Sequence, residues 1–249
     1  MSTTIALFDL GSTLLYTRSP WEPIQKRGDE ALALSLHNSG IHINSDSFVS
    51  EFGGFISTYY ADQAKTRDFL EKTSLVALQE ILASKGFPDT SQGVLRTALD
   101  AMYAITQKNW QLEEDALLTF EKLKENGIRL GLISNTSDDK NVQQLIDHWN
   151  IRHYFDFIIT SAGFGIRKPD GRIFQAALDF FQTSPANSVM VGDSLEADIL
   201  GANGKGIYSI LINRRVNVDQ ELLNKIQPSA VVSRLSQIPD LLFESNRYG

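Results

Sequence analysis

Strand-like and helix-like patterns alternate over the second half of the chain. Short buried-strand runs, each bounded by turn residues, lie at 128–133, 157–159, 189–191 and 207–212, with a further edge strand at 231–232. Other segments have apolar residues at helical spacing and predict helices. These segments lie between Leu112 and Gly127, at about 138–150, from Pro169 onward, from Ala197 to Ala202 and at about 236–244. Strands that alternate with helices are typical of βαβ units. Together with a first apolar run, Ile5–Phe8, the pattern predicts an α/β fold with a doubly wound, mainly parallel sheet.

The region between the first strand and residue 112 has helical spacing and no convincing strand. Leu75, Leu78 and Ile81, for example, fall on one helical face, and Gly86 ends that series. The first strand must join the later ones to be buried on both faces, so we expect this region to be an inserted helical cap. The predicted domains are an α/β catalytic core, residues 1–15 and 112–249, and a helical cap, residues 16–111.

Composition narrows the possible functions. The 30 acidic residues outnumber the 23 basic ones, and no basic stripe suited to a nucleic-acid backbone is present. The absence of cysteine excludes disulfides, thiolate metal sites and a thiol nucleophile. No stretch reaches the roughly 18 apolar residues of a membrane span, and no secretion signal is recognised. We therefore expect a cytoplasmic protein that binds neither nucleic acid nor membrane, of undefined oligomeric state.

Polar groups follow four of the predicted elements. They are Asp9, Ser134 with Asn135, Lys168, and Asp193 with Asp198. Taken singly, each also fits a turn, a helix cap or a solvated side chain. Parallel strands present their carboxyl ends at one edge, however, so these groups are expected to share one crevice. A carboxylate nucleophile, a hydroxyl donor, a fixed cation and paired carboxylates that suit Mg²⁺ are what phosphoryl transfer needs.

These stretches resemble the motifs of the haloacid dehalogenase-like (HAD) hydrolase superfamily. The matching residues are Phe8-Asp9-Leu10-Gly11-Ser12-Thr13-Leu14, Leu132-Ile133-Ser134-Asn135, Arg167-Lys168-Pro169-Asp170 and Val191-Gly192-Asp193-Ser194-Leu195-Glu196-Ala197-Asp198. The resemblance implies a Rossmann-like core with a helical cap inserted after the first motif. It also implies a hydrolase of the phosphatase-like branch that acts on a small phosphorylated molecule.

The resemblance further implies a role for each motif residue. Asp9 would attack the substrate to form an aspartyl intermediate, while Ser134, Asn135 and Lys168 would hold the transferred group. Magnesium would be bound by Asp9, the backbone carbonyl of Gly11, Asp193 and Asp198.

One position departs from the family's pattern. Phosphatases of this family usually carry a second Asp two residues after the nucleophile, which protonates the leaving group and then activates water. Here that position is Gly11. Loss of a general acid–base group commonly costs about 10²–10⁴ in rate. Glu22, Asp29 and Tyr16 are near enough in sequence to substitute for it.

Three functions are compatible with this pattern. The favoured one is a magnesium-dependent phosphatase of a small phosphorylated metabolite. The second is a hydrolytic haloacid-type dehalogenase, whose halide leaving group needs no acid, although such relatives work without metal and tend to lack the acid at Asp193. The third is a phosphate-binding regulatory protein with little turnover. Retention of Asp9, Lys168 and Asp193 together speaks against it.

Substrate choice is expected to depend on the cap. Arg18 and Trp21 follow the first motif closely enough to face the crevice, where they would offer a cation and a flat apolar surface. A solvated arginine and a buried cap tryptophan are the alternatives. Arg67 and Tyr60 are further candidates.

Overall fold

The computed structural model describes residues 3–66, 68–215 and 217–244. These residues form two compact units, and each unit is assembled from separate stretches of chain. Unit 1 contains the chain up to Tyr16, Gln111–Asn135 and the chain from Ile146 onward, whereas unit 2 contains Thr17–Trp110 and Thr136–Leu145. The sequence pattern places residues 136–145 in the α/β core, but in the structure they belong to the unit that holds the helices of residues 21–106.

Unit 1 is built on a six-stranded sheet whose neighbouring strands are all parallel. The strands are β1 (Ile5–Phe8), β4 (Arg129–Ser134), β5 (Phe157–Thr160), β6 (Ser188–Gly192), β7 (Tyr208–Ile212) and β8 (Ala230–Val232). Their order is β5-β4-β1-β6-β7-β8. The chain therefore winds in opposite directions from β1, and a ligand crevice is expected where the direction changes, beyond the carboxyl ends of β1 and its neighbours. The predicted α/β class with a doubly wound parallel sheet is confirmed.

The helices that follow the strands include the predicted ones, two of which begin later than expected, and two, at 161–164 and 220–226, that were not predicted from the sequence. They are α5 (Ala116–Glu125), α6 (Asp139–His148), α7 (Ser161–Phe164), α8 (Gly171–Phe181), a π-helix at Leu195–Leu200, α9 (Gly201–Lys205), α10 (Gln220–Ile226) and α11 (Ile238–Glu244). The helix expected from Pro169 begins at Gly171, because the Asp170 side chain caps it by accepting the Arg172 N–H at 2.8 Å. The helix expected from Leu112 begins at Ala116, since Leu112 lies in a strand.

Two short strands were not predicted from the sequence. β2 (Leu15–Thr17) and β3 (Trp110–Leu112) pair with each other in a separate two-stranded sheet. Three residues are too few to display the two-residue alternation of a half-buried strand. These strands contain the points at which the chain passes from one unit to the other, after Tyr16 and after Trp110.

Unit 2 is helical. Its helices are α1 (Trp21–Asn38), α2 (Ser45–Thr66), α3 (Ser74–Ser84) and α4 (Gln92–Thr106), and their buried apolar side chains form one core. α1 lies so close against α4 that a Cβ on Gly28 would come within 3.0 Å of the Thr106 methyl carbon. Helices thus occupy most of residues 21–106, and a cap at residues 16–111 stays a prediction. Among the described helices, none has the length and apolarity needed to cross a membrane.

Tyr60 and Arg67 are the two further candidates for substrate contact. Arg67 lies outside the described residues. Tyr60 donates its hydroxyl hydrogen to Glu71 Oε1 at 2.6 Å, so this phenol is engaged inside the helical unit.

Asp29 is a buried carboxylate on α1. It is 4% exposed and accepts one hydrogen bond, 2.7 Å long, from Gln25 Nε2. Burial raises the pKa of the Asp29 carboxyl to about 6, and the negative charge of Glu30 contributes to the increase. Asp29 is near enough to Gly11 in sequence to replace the acid missing there, but its side chain is buried in the helical unit.

We expect Asp29→Asn to stabilise the protein above pH 6. The pKa is raised on folding, so the folded state binds more protons than the unfolded state between about pH 4 and pH 6, and stability falls as the pH rises through this window. Removing the ionisable group should stabilise the fold by on the order of 2–3 kcal/mol at pH 7, and by much less at pH 4. Urea unfolding at both pH values measures this difference. The exposed Asp89→Asn is the control, and an equal gain at the two pH values would contradict the assignment.

Candidate active site

Asp9 and Lys168 form a buried ion pair at the carboxyl edge of the sheet. Asp9 directly follows β1, and its Oδ1 lies 2.6 Å from Lys168 Nζ. Lys168 is 2% exposed, and its ammonium also donates to the Ile133 carbonyl near the end of β4 at 2.7 Å. The structure thus brings together two side chains that are 159 residues apart in the sequence.

Asn135 holds the backbone of Lys168. Its Nδ2 donates to the Lys168 carbonyl at 3.0 Å, and its Oδ1 accepts the Lys168 N–H at 2.9 Å. Both ends of the amide therefore position the lysine backbone. Ser134, one residue earlier, ends β4 and is buried, and among the described residues its hydroxyl makes no hydrogen bond. The Asn135 amide is thus bonded to the protein, whereas the Ser134 hydroxyl is available to a ligand.

Asp193 and Asp198 complete an acidic cluster beyond β6. Lys168 Nζ lies 2.7 Å from Asp198 Oδ1 at an angle unsuited to hydrogen bonding, and this buried oxygen has no hydrogen-bond partner. Asp198 Oδ2 accepts the Ser194 N–H at 3.0 Å, while Asp193 Oδ1 accepts the Thr13 hydroxyl at 3.4 Å. One oxygen from each of Asp9, Asp193 and Asp198 lies within 4.8 Å of the others.

The cluster carries more negative than positive charge. Burial raises the pKa of the Asp9 carboxyl to about 6, although the Lys168 ammonium opposes the increase. Burial and the charges of Asp9 and Asp198 raise the pKa of Asp193 to about 8. For Lys168, burial acts to lower the pKa, but the carboxylates of Asp198 and Asp9 outweigh it and hold the pKa above its ordinary value.

This donor set fits a hard divalent cation. Convergent carboxylate oxygens are the ligands that Mg²⁺ prefers. Three carboxylates surround the single ammonium of Lys168, and one Asp198 oxygen has no hydrogen-bond partner, so the cluster has both the charge and a donor atom for a cation.

Gly11 and its neighbours form a tight turn after β1. The Leu10 carbonyl accepts the N–H groups of Leu14 and Leu15 at 2.9 and 2.8 Å, and Ser12 adopts a left-handed φ of 58°. This turn brings Thr13, which is buried, to Asp193. Gly11 does not have a positive φ, so the left-handed backbone that favours glycine is not what this position requires.

Arg18 and Trp21 are not in the unit that carries Asp9. Both belong to unit 2, where the Arg18 backbone N–H donates to the Asn109 carbonyl at 2.8 Å and the Arg18 side chain is exposed. Trp21 is 41% exposed and its ring centroid lies 5.6 Å from that of Trp110. Their contact with substrate stays a prediction.

Tyr16 occupies a charged cluster in unit 1. The Arg215 guanidinium lies over the Tyr16 ring at 4.0 Å and makes two hydrogen bonds, 2.7 and 3.1 Å long, to the buried Glu113 carboxylate. Tyr16 lies within β2, and its ring therefore packs against the arginine of a buried ion pair.

Sequence reasoning did not assign site roles to Thr13 and Gly192. A Cβ on Gly192 would collide with the Asp198 carboxylate, so only glycine lets the acid approach the end of β6. The Gly-Asp pair at the strand end carried this signal, since glycine inside a strand marks a close approach of another group. Thr13 has no signal of its own, because its contact with Asp193 spans 180 residues.

Comparison with known proteins gives consistent matches. A family model described as haloacid dehalogenase-like hydrolase matches residues 43–212. Haloacid dehalogenase-like hydrolase domain-containing protein 3 from Bos taurus is 31% identical over 129 residues, which are 52% of this chain and 51% of that protein. The match therefore spans about half the length of that relative.

Two further proteins match more of their own length. A glyceraldehyde 3-phosphate phosphatase from Methanothermobacter thermautotrophicus is 33% identical over 185 residues, with 66% of this chain and 80% of that protein covered. Among solved structures, 2-haloacid dehalogenase from Pseudomonas syringae pv. Tomato DC3000 superposes with a TM-score of 0.73 over 98% of this chain and 99% of its own. At 22% identity, that likeness concerns the fold alone.

We expect Gly192→Ala to destabilise the acidic cluster. The added methyl group must displace the Asp198 carboxylate, and overpacking of this kind costs about 1–3 kcal/mol. Thermal unfolding with and without Mg²⁺ measures the effect, and the variant should lose most of the stabilisation that Mg²⁺ gives the wild type. Gly204→Ala, where nothing lies within 4 Å of the new Cβ, is the matched control. Equal responses of the two variants to Mg²⁺ would argue against the cluster as its site.

Proposed function

Since this chain belongs to the haloacid dehalogenase-like hydrolase family, as its motifs predicted, we propose that it is a magnesium-dependent phosphatase of a small phosphorylated metabolite. The observation that carries the proposal is the Asp9 carboxylate held 2.6 Å from a buried lysine within a cluster of three acids. The phosphatase from Methanothermobacter thermautotrophicus supports a small phosphorylated substrate.

In the proposed reaction Asp9 is the nucleophile. An Asp9 oxygen forms a bond to phosphorus while the bond from phosphorus to the substrate's alcohol oxygen breaks, and the departing alkoxide takes up a proton. Water then attacks the phosphorus and loses a proton, the bond to Asp9 breaks, and inorganic phosphate leaves. Lys168 orients the attacking carboxylate and offsets charge on the transferred group, and the Ser134 hydroxyl donates to one of its oxygens.

Magnesium would be held by Asp9 and Asp193, with the Gly11 carbonyl and Asp198 as further donors. When bound, it would neutralise the negative charge that otherwise keeps an anionic carboxylate and a phosphate apart. Asn135 contributes indirectly, because its amide fixes the Lys168 backbone.

Gly11 defines how this phosphatase would differ from its relatives. The chain supplies no carboxylate two residues after Asp9, so the leaving alkoxide must obtain its proton from water, the substrate or another side chain. We therefore propose slow turnover, or a substrate whose leaving group is already a weak base. The presence of Asp193 favours a metal-dependent phosphatase over a metal-independent dehalogenase, because such dehalogenases tend to lack an acid at this position.

Asp9→Asn should abolish turnover. The amide retains the shape of the side chain but is a poor nucleophile, so we expect a fall in kcat of at least about 10³. Phosphate release from a panel of phosphorylated metabolites, with and without Mg²⁺, measures it. Asp89→Asn removes an exposed acid of unit 2 and should leave the rates unchanged. Activity that survives Asp9→Asn, or halide release from 2-haloacids in the absence of metal, would overturn the proposal.

Gly11→Asp should accelerate the reaction. Gly11 does not have the positive φ that would restrict the position to glycine, and a carboxylate there restores a group that can donate and accept the proton. We expect kcat to rise by about 10-fold or more, within the range that general acid–base catalysis supplies. Gly11→Asn has nearly the same shape without a transferable proton and should give no increase. Equal rates for the two variants would show that the missing acid is not what limits turnover.

A further inference from the structure

The chain crosses between the two units immediately after the phosphate-site motif. Ser134 and Asn135 belong to unit 1, whereas Thr136–Leu145 belong to unit 2. A single peptide bond therefore joins Asn135, which holds the Lys168 backbone, to a segment that is anchored among the helices of unit 2.

The first anchor of this segment is a hydrogen-bond chain at Ser137. The Ser137 carbonyl accepts the Ser74 N–H at 2.7 Å, and the Ser74 hydroxyl lies 2.8 Å from the Ser137 hydroxyl. The Tyr103 hydroxyl lies 2.9 Å from the same Ser74 oxygen in a buried position. Ser137 is thus tied to the start of α3 and, through Ser74, to α4.

The second anchor is an ion pair at Asp138. Its Oδ2 lies 2.6 Å from Arg96 Nη1 on α4, and only 4% of the Asp138 side chain is exposed. The other oxygen, Oδ1, accepts the Asn141 N–H at 2.9 Å and so caps the start of α6. Arg96 is itself held by Asp100, whose second oxygen bonds Lys140 at 2.7 Å. The carboxylate therefore fixes both the beginning of α6 and its attachment to α4.

We propose that Arg96 and Asp138 are positioning residues for the phosphate-binding groups. They fix the segment that follows Asn135 by covalent connection, and Asn135 in turn fixes Lys168. The site needs this support, because the Lys168 backbone is held there by the two hydrogen bonds of a single amide. Misplacement of a reacting group by about 1 Å can cost 10²-fold in rate. This inference rests on the proposed phosphatase function and deepens it.

The test uses Asp138→Asn and Arg96→Gln in the full chain. Asparagine keeps an oxygen that can cap α6, so Asp138→Asn removes the ion pair with little effect on the helix start. Glu80→Gln is the matched control, because it breaks another ion pair of unit 2, to Lys72 at 2.7 Å, that does not involve residues 136–145. Three quantities are measured: kcat and KM for phosphate release, and the hydrogen-exchange rate of the Lys168 N–H, which donates to Asn135.

We expect both variants to lower kcat by about 10-fold or more with a smaller change in KM, and to speed exchange at Lys168. The double variant should lose little more than either single one, because the two residues act as one pair. Arg96→Lys, which keeps the charge, should recover part of kcat. Glu80→Gln should change none of the three quantities.

The outcomes separate this inference from the proposed function. If the wild type releases no phosphate, the phosphatase proposal is overturned. If Asp138→Asn nevertheless speeds hydrogen exchange at the Lys168 N–H, the anchoring is supported. Unchanged exchange and unchanged kcat in Asp138→Asn and Arg96→Gln overturn the anchoring alone. A fall in kcat that Glu80→Gln reproduces would also overturn it, because general loosening of unit 2 would then be sufficient.

Discussion

The buried ammonium of Lys168 is the constraint on which the site depends. An ammonium removed from water is tolerated only when opposite charges and hydrogen-bond acceptors surround it. Here those partners are the Asp9 carboxylate, which follows β1, the Asp198 carboxylate in the π-helix, and the Ile133 carbonyl near the end of β4. Three separate elements must therefore reach one point within hydrogen-bonding distance. The parallel pairing of β1 with β4 and β6 provides this alignment.

The charge balance of the cluster also limits the number of acidic residues that it can contain. Three carboxylates face one ammonium, and the pKa values of Asp9 and Asp193 are already raised. A glycine at position 11 keeps the number of carboxylates at three. The same residue that removes a proton donor thus limits electrostatic repulsion in the absence of a cation.

Much of the fold and the identity of the acidic groups could be predicted from the sequence, because both depend on local patterns. Buried strand runs ending in polar residues indicated the sheet, and parallel geometry indicated that Asp9, Lys168 and Asp193 would converge. The individual hydrogen bonds between distant residues could not be predicted in this way. The Asn135 amide resembled a phosphate ligand, but its bonds to Lys168 depend on a loop 33 residues away. The assignment of residues 136–145 to unit 2 depends on partners in α3 and α4 that have no mark in the sequence.

The division of unit 2 into two stretches of chain has a consequence for protein engineering. Exchanging helical domains between relatives is a common route to new specificity, and Thr17–Trp110 looks like a transferable cassette. Transplanting it alone would leave Ser137 and Asp138 of the host opposite foreign helices. A chimera should instead carry residues 136–145 along with their own α3 and α4, so that donor and recipient are joined only at the boundaries of the two units.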